Sequence, residues 1–329
     1  MKIQPWGALG WLFRRMNVEK WHIVLASSFE DRSAAVVEWM IENGSSVHSS
    51  CVFRIENPPS RHWDVAKAKV EQSFSALELL LAGRHFGVIS LDLMSFASAA
   101  ISSETINANG SDSVLLDIST LPKKFFMFAL KVLIADKRIR NIVVAYSRAA
   151  NYPEVALCED ALPPSAMQGF GRIEPSRDGS RLIVGVGYMA LSVEQILERA
   201  KNSKLDFILP FPPASPAFRR NWALLSMLMP EELPRNTEIH RIDSMDAFEV
   251  FNRIMSWGEG VDLDIIPLGP KPHALGMAMA VLRLGGHAEL IYSQPRSYLA
   301  NYSEGVSLDM DGKASVFGYC LKYDGRLTF

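Results

Sequence analysis

The hydrophobic pattern of the chain alternates between short apolar runs and longer segments with a helical period. Trp21–Ala26 is an unbroken apolar run, and a serine-rich polar turn and an apolar helix ending at Gly44 follow it. An unbroken run of this kind is typical of a strand that is buried on both faces of a parallel sheet. Strands that alternate with helices predict βαβ units, so the predicted fold class is α/β with a mostly parallel sheet.

One strand–helix–strand pattern occurs twice. Residues 113–152 and 261–298 each predict an apolar strand, a Pro-Lys step, an apolar helix, a second strand and two tyrosines six residues apart. The offset between the copies is 148 residues at the lysines and 146 at the tyrosines. Two anchors at nearly one offset indicate an internal duplication. The matching residues are Pro122-Lys123 with Tyr146 and Tyr152, and Pro270-Lys271 with Tyr292 and Tyr298.

The length of 329 residues suits two domains better than one core. We predict two tandem Rossmann-like domains with parallel sheets, at residues 20–152 and 181–305, as products of the duplication. Residues 153–180 contain four prolines and three glycines and are predicted to connect the domains and to add an edge strand or hairpin. Residues 306–329 carry the turn signals Asp311-Gly312 and Asp324-Gly325, which favour a closing antiparallel hairpin or edge.

An aromatic-rich segment, residues 1–19, precedes the first strand. Trp6, Trp11 and Phe13 favour either a short helix packed on its own domain or an N-terminal aromatic arm. Large aromatic side chains dominate buried contact energy. We therefore expect such an arm to dock on a protein partner or on a second copy of the chain, giving a homo-oligomer.

Composition and charge narrow the cellular setting. A net charge of −2 draws the whole molecule neither to duplex nucleic acid nor to an anionic membrane, while a local basic pocket stays open. The cysteines Cys51, Cys158 and Cys320 are too far apart for a disulfide framework or a Cys-x-x-Cys metal knuckle. No apolar run reaches the roughly 18 residues of a membrane span, and the N-terminus lacks a small-residue cleavage site. We expect a cytoplasmic protein that does not enter a membrane.

The candidate chemistry lies where the predicted strands end. Asp117 closes an apolar strand, and Ser119 and Thr120 precede the next helix. This order places them at the carboxyl edge of a parallel sheet, where ligands bind in open α/β folds. Ser27 and Ser28 follow the first strand in the same manner, and they either hold an anion or cap the next helix.

Basic residues start the helix in both copies of the repeat. Lys123 and Lys124 in the first copy, and Lys271 in the second, oppose the positive end of the helix dipole at a cost of a few tenths to about 1 kcal/mol. A nearby anion explains this placement, and solvated side chains are the alternative. Tyr146 and Tyr292 end the following strands at the same edge, where their rings either stack on bases or serve ordinary packing.

Other chemical signals are weak. The sequence contains no P-loop, GxGxxG or GxSxG motif, and its histidines show no HxxxH or HxH spacing, so we predict neither a metal site nor a cofactor. His273, two residues after Lys271, is the one histidine placed where catalysis could use it.

The segment DISTLPKKFFMFALKVL resembles the Asp-x-Thr-Gly-Gly-Thr-Lys motif of CARF domains and the apolar helix after it, with Leu121-Pro122 where that motif has glycines. Two such units in one chain resemble the SAVED domain, a fused pair of CARF-like halves. The resemblance implies a sensor of cyclic nucleotides or oligonucleotides in prokaryotic antiviral systems, bound across both units. It implies that an effector in trans supplies the output. The ligand-facing residues implied are Asp117, Ser119, Thr120 and Lys123, with Ser27 and Ser28 in the first loop.

Three functional hypotheses follow. The leading one is a non-catalytic nucleotide-sensing or scaffold component of a defence complex, and it predicts that the Lys/Tyr edges of both halves face one cleft. The second is an enzyme on a nucleotide or phosphorylated substrate, a hydrolase or a glycosyl-transfer protein, with Asp117 as acid/base and Lys271 or His273 as electrophile. The third is a structural subunit that binds partners through residues 1–19 and the aromatic edges.

Overall fold

The structure, a computed structural model, forms two compact α/β units. The first comprises Met1–Cys158 and Arg296–Phe329, and the second comprises Glu159–Pro295. No described helix is long and apolar enough to cross a bilayer. The described residues are 5–58, 63–153, 158–174, 179–187, 193–200, 203–212, 221–223, 225–226 and 237–329.

The first unit takes its strands from both ends of the chain. Its helices are α1 (Leu9–Met16), α2 (Ala35–Glu42), α3 (Trp63–Leu80), α4 (Ser103–Ile106) and α5 (Lys123–Ala135). Its N-terminal strands are β1 (Trp6–Ala8), β2 (Lys20–Ser27), β3 (Ser46–Glu56), β4 (His85–Asp92), β5 (Ser113–Asp117), β6 (Asn141–Ser147) and β7 (Ala149–Asn151). Its C-terminal strands are β16 (Glu304–Val306), β17 (Val316–Tyr323) and β18 (Arg326–Leu327).

The second unit is built in the same way from the middle of the chain. Its strands are β9 (Ser165–Ala166), β10 (Arg181–Gly185), β11 (Lys204–Pro210), β12 (Glu238–Ile242), β13 (Leu263–Pro267) and β14 (Ala288–Tyr292). Its helices are α6 (Val193–Ala200), α7 (Ala247–Trp257) and α8 (Lys271–Leu284). Two further strands, β8 (Cys158–Ala161) and β15 (Pro295–Tyr298), lie where the chain passes between the units.

Both sheets have one parallel strand order. The first unit has the order β6-β5-β2-β3-β4 and the second has β14-β13-β10-β11-β12, so each reads 5-4-1-2-3 in chain order. All pairs within these five-strand sets are parallel. The α/β prediction is confirmed, and a shared order is what a duplication produces.

The central strands form because their sequences are apolar on both faces. In β2, Ile23, Val24 and Leu25 have no exposed surface, and Leu115 of β5 and Val143 of β6 are equally buried beside them. Such strands bury both faces only when helices cover each side of the sheet. The carboxyl ends of β2, β5 and β6 are thereby fixed next to one another.

The N-terminal segment is part of the first unit and not a separate arm. β1 pairs antiparallel with β17, and Leu9 and Leu12 of α1 are fully buried. The ring of Phe13 stacks on Trp21 at 4.8 Å between centroids, and that of Trp6 stacks on Tyr319 at 6.1 Å. These residues therefore match the other alternative, a short helix packed on its own domain. Their aromatic rings pack against the core of the first unit.

The C-terminal segment also departs from the predicted boundaries. Residues 296–305, predicted to finish the second domain, belong to the first unit. β17 is not an edge, since it lies between β1 and β6 and pairs antiparallel with both. The predicted hairpin at Asp324-Gly325 is present between β17 and β18, and both turn residues have positive φ, as such a turn requires.

The connecting segment supplies the second unit with an edge strand. Within residues 158–174, β9 pairs antiparallel with β14. Arg172 then binds Asp264 and the Leu263 carbonyl, which fixes the segment to β13. A strand from another part of the chain thus flanks the fifth parallel strand antiparallel in both units, β17 on β6 and β9 on β14.

Candidate functional site

The first unit has a switch point between β2 and β5. From β2 the sheet continues through β3 and β4, whereas from β5 it continues through β6, so the loops after β2 and β5 diverge. In open α/β sheets this divergence leaves a crevice at the carboxyl ends of the two strands. Five predicted residues reach this edge, and they are Ser27, Ser28, Asp117, Ser119 and Thr120.

Serine hydroxyls shape the loop after β2. The Ser28 N–H donates to Ser33 Oγ at 3.0 Å, and Ser33 Oγ donates in turn to the Ala26 carbonyl at 2.8 Å. Ser73 Oγ of α3 donates to the same Ser33 hydroxyl at 2.8 Å. Ser27 Oγ donates to the Phe53 carbonyl at 3.4 Å. These hydrogen bonds hold the loop in one conformation. Because the side chains involved are short, they add little volume to the loop.

Asp117 shapes the loop after β5. Its Oδ1 accepts hydrogen bonds from the Ser119 N–H at 2.8 Å and from Ser119 Oγ at 2.5 Å. Ser119 Oγ accepts from the Ser147 N–H at 2.8 Å, so the turn is tied to the end of β6. Asp117 and Ser119 are both buried. The Asp-x-Ser pattern thus forms the turn at the carboxyl edge of the sheet. The Asp117 carboxylate is buried within this turn.

Thr120 draws the same loop towards β2. Its hydroxyl donates to the Ala26 carbonyl at 3.3 Å, the carbonyl that Ser33 also contacts. The chain then turns at Pro122 into α5, whose N-cap is this proline and which no described side chain caps. A proline N-cap without a side-chain partner leaves the positive helix end open to an external anion.

The electrostatics of the α5 start are unusual. Lys123, the first residue of the helix, is half-buried, and desolvation of its ammonium lowers its pKa from 10.5 to about 7. Lys124 donates to the Ser95 carbonyl at 2.9 Å, and burial lowers its pKa to about 8 against the opposing effect of Asp92. Two cations therefore share a poorly hydrated position with the positive end of a helix dipole.

A buried ion pair, which the sequence analysis did not single out, lies beside this edge. Arg32 is 1% exposed, and its guanidinium donates to Glu30 Oε2 at 2.9 and 3.1 Å and to the Ser147 carbonyl at 2.8 Å. Its Cζ lies 5.4 Å from the ring centroid of Tyr146, a cation–π arrangement. The sequence feature that could have pointed to this ion pair is the Glu30-Asp31-Arg32 run inside the serine-rich turn.

The predicted tyrosine pair meets in the first unit, where Tyr146 is buried and Tyr152 is half-buried. The hydroxyls of Tyr146 and Tyr152 lie 3.4 Å apart, and the Tyr152 ring packs edge-on against Tyr302. Burial raises the pKa of Tyr152 well above its ordinary value. Tyr146 is 3% exposed and lies against Arg32, so its ring is not presented at the surface for base stacking.

A C-terminal segment, residues 298–306, contacts the loop after β2. Ser303 Oγ donates to Glu30 Oε2 at 2.5 Å, and the Gly305 N–H donates to Asp31 at 2.8 Å. β16 within this segment pairs antiparallel with β7. Residues more than 270 positions apart in the chain therefore build one side of the edge, which no local pattern could reveal.

The described part of the corresponding edge in the second unit is tightly packed. Gly187 lies two residues after the end of β10, and Leu268 directly follows β13. A Cβ atom at Gly187 would lie 1.9 Å from the Leu268 carbonyl oxygen, and one at Gly269 would lie 3.0 Å from that of Val186. At these positions the two strand ends meet backbone to backbone, with no room for a side chain at Gly187.

The remaining three predicted residues lie in the second unit. Lys271 is the first residue of α8 after a proline N-cap, as Lys123 is in α5. His273 is fully buried, and its Nε2 lies 2.8 Å from the Asp243 carbonyl, to which it donates. Tyr292 is 6% exposed at the end of β14. Lys271 matches its counterpart, whereas His273 and Tyr292 are core residues. The single cleft shared by both halves stays a prediction.

Comparisons with known proteins show likeness of fold and no assigned family. No family model matches the chain, and no curated protein does. A solved DNA nuclease of type III CRISPR defence, activated by cyclic oligoadenylate, matches with a TM-score of 0.50 and 9% identity over 83% of this chain. The chain spans 65% of that nuclease, and the likeness shows the fold alone.

Two other solved structures are similar at a lower level. A Listeria monocytogenes protein assigned as a UDP-N-acetylglucosamine 2-epimerase is 12% identical, with a TM-score of 0.23 over 87% of this chain and 92% of its own. Phosphoethanolamine N-methyltransferase 1 of Haemonchus contortus is 6% identical, with a TM-score of 0.23 over 80% of this chain and 72% of its own. TM-scores this low carry no argument.

The buried Glu30–Arg32 pair yields a first prediction. Arg32→Met leaves the Glu30 carboxylate buried without its counterion, which we expect to cost about 3–5 kcal/mol of unfolding free energy. Adding Glu30→Gln to Arg32→Met removes the stranded charge and should restore part of that stability. Urea denaturation of both single variants and the double variant measures this coupling.

Arg140→Met, in the exposed Arg140–Asp324 pair, is the control and should cost at most about 1 kcal/mol. Additive single costs would contradict the coupling.

The depressed pKa of Lys123 yields a second prediction. Between about pH 7 and pH 10.5 the unfolded chain holds a proton on Lys123 that the folded chain has lost, so stability should rise with pH over that window. Below pH 7 both states are protonated, and the penalty of burying the cation is constant. Lys123→Gln should flatten the rise in melting temperature between pH 7 and pH 10. The exposed Lys137→Gln is the matched control, and identical profiles for both variants would show that Lys123 is well hydrated.

Proposed function

We propose that the chain is a non-catalytic nucleotide-sensing component of a prokaryotic antiviral defence system, and that its first unit binds the ligand. The site is the carboxyl edge where the loops after β2 and β5 diverge. The observation that carries the proposal is the start of α5, where two lysines follow a proline N-cap at the switch point.

The electrostatics of this helix start favour an anionic ligand. A lysine at the first helical position works against the helix dipole, and desolvation adds a second cost that lowers the Lys123 pKa to about 7. A phosphate at this position would accept hydrogen bonds from backbone N–H groups and place a negative charge beside the ammonium. A bound anion would therefore offset both costs.

The sequence resemblance and the fold favour a nucleotide over a bare phosphate. The hydroxyls of Ser27, Ser28, Ser119 and Thr120 are buried and hydrogen-bonded within the loops, so their part is to shape the edge. The CARF-like pattern around Asp117 and the fold likeness to a nuclease activated by cyclic oligoadenylate support a cyclic oligonucleotide as the ligand. An effector in trans would then supply the output.

The arrangement of Asp117 and His273 supports a sensing role rather than a catalytic one. Asp117 Oδ1 accepts two hydrogen bonds from Ser119 and thereby holds a turn. His273 is fully buried and holds the Asp243 loop. The enzyme hypothesis uses Asp117 as acid/base and Lys271 or His273 as electrophile, and of these Asp117 and His273 already have structural roles.

A thermal-shift screen of the full chain tests the proposal. The panel contains mononucleotides, linear dinucleotides, cyclic oligoadenylates and sugar phosphates. A ligand at 100 times its Kd adds about 2.7 kcal/mol to stability, which is a rise of several degrees in Tm for units of this size. We expect a cyclic oligonucleotide to give this rise and Lys123→Ala to abolish it.

Matched variants and product analysis separate the outcomes. Lys137→Ala, an exposed lysine beyond the end of α5, should retain the full shift. Lys271→Ala reports whether the second unit contributes, and a smaller loss than at Lys123 is expected because Gly187 and Leu268 meet backbone to backbone at its edge. A flat panel would contradict the sensor, and turnover of the bound ligand would favour the enzyme hypothesis.

A further inference from the structure

A cluster of charged residues lies on one face of the second unit's sheet, at the amino-terminal halves of its strands. Asp206 of β11 lies opposite Glu238 of β12 in the strand register, and His240 is two residues further along β12. Side chains two residues apart on a strand share a face. One potential ligand atom from each of these three residues lies within 4.8 Å of the other two.

The Asp206 carboxylate is buried without a hydrogen bond among the described residues. It has no exposed surface, and neither of its oxygens has a hydrogen-bond partner among the described residues. Arg181 Nε lies 3.3 Å from Oδ2 and Lys204 Nζ lies 3.9 Å from Oδ1, which are ion-pair distances without a hydrogen bond. Buried carboxylate oxygens are nearly always hydrogen-bonded, so two open ones indicate a bound water or ion.

The imidazole of His240 belongs to the same cluster. Its Nε2 lies 3.0 Å from Glu238 Oε2, an ion-pair contact when the imidazole is protonated. The ring packs against Trp257 at 4.7 Å between centroids, which holds Nε2 towards the carboxylates. An imidazole nitrogen and two carboxylates that converge within 4.8 Å form a donor set for a metal.

We propose that Asp206, Glu238 and His240 bind a divalent transition-metal ion such as Zn²⁺. Zn²⁺ accepts nitrogen and oxygen ligands at about 2.0–2.2 Å, which places ligand atoms about 3.5 Å apart. Atoms already within 4.8 Å need only a small contraction. Mg²⁺ and Ca²⁺ fit less well, because they prefer oxygen ligands alone.

The two cations beside Asp206 are compatible with this site. Arg181 contacts Oδ2 of Asp206 and packs over Trp257 at 5.1 Å, so it can orient the carboxylate from outside the coordination sphere. Lys204 is partly exposed and can turn to solvent when a metal ion takes its place. Glu238 is about half exposed, which gives the ion a path from solvent.

A bound metal ion would stabilise the edge of the second unit's sheet. β12 ends the strand order, and Glu238 and His240 both lie on it, whereas Asp206 lies on its neighbour β11. The ion would therefore link the edge strand to the next one, at the opposite ends of the strands from the carboxyl edge. We assign it a structural role in this unit, independent of the proposed nucleotide site.

Calorimetric titration of the chelator-treated full chain with Zn²⁺ tests the site. We expect one ion per chain in the wild type, with an accompanying rise in Tm. Asp206→Asn and His240→Gln should each weaken this binding on the order of 100-fold, the upper end of the losses seen even for outer-sphere partners. Glu259→Gln and His287→Gln, which remove exposed groups outside the cluster, should leave it unchanged.

Each alternative outcome is informative. No binding, or binding that persists in Asp206→Asn and His240→Gln, overturns the proposal and leaves a buried ion-pair network. Should Asp206→Asn fail to fold, His240→Gln and Glu238→Gln carry the same test, because they keep the buried carboxylate. Quenching of Trp257 fluorescence by Ni²⁺, absent in Trp257→Phe, places the ion beside His240 rather than elsewhere on the chain.

Discussion

The guanidinium of Arg32 is the interaction on which the candidate edge depends. A cation with 1% exposure is costly to bury unless all its sides are satisfied, and Arg32 satisfies them with Glu30, the Ser147 carbonyl and the Tyr146 ring. These partners belong to the loop after β2 and to the end of β6. Since Ser303 also donates to Glu30, the C-terminal segment is fixed by the same pair. Burial of one charge thus sets the positions of three separate stretches of chain.

The two units share one strand order but present different edges. In the first, the Thr120 hydroxyl ties the loop after β5 to the end of β2, and lysines with depressed pKa values start the next helix. In the second, Gly187 and Leu268 approach one another backbone to backbone, while a lysine still starts the helix. A Cβ atom has no room at Gly187, so the strand ends approach one another there more closely than a side chain would allow. The two units therefore differ at the carboxyl edge although they share a strand order.

The sequence predicted the parts of the fold that local patterns determine. Unbroken apolar runs such as Trp21–Ala26 can be stable only between two helical layers, so the parallel sheets and their carboxyl edges followed from them. Asp117 and Ser119 were found because an Asp-x-Ser turn is local. The role of Arg32 was missed, since its partners Ser147 and Tyr146 are more than 110 residues away and burial of an arginine has no sequence signature.

Long-range pairing accounts for the other differences. The hydrophobic pattern of β17 predicts a strand but does not specify its neighbours, so its place between β1 and β6 could not be inferred. Of the two roles left open for Tyr146 and Tyr292, their burial favours ordinary packing, and that burial depends on chain segments far from either residue. The Asp206 cluster escaped the search for metal motifs because its ligands come from two strands, 32 and 34 residues apart.

Hydrogen–deuterium exchange with saturating cyclic oligoadenylate tests the central claim most directly, because it reports where the full chain is protected. The account predicts slower exchange in residues 27–34 and 117–126, which form the loops after β2 and β5 and the start of α5. Residues 204–210 of the second unit should exchange at the same rate with and without the ligand. Unchanged exchange in both loops, or protection confined to other residues, would contradict a nucleotide site at this edge.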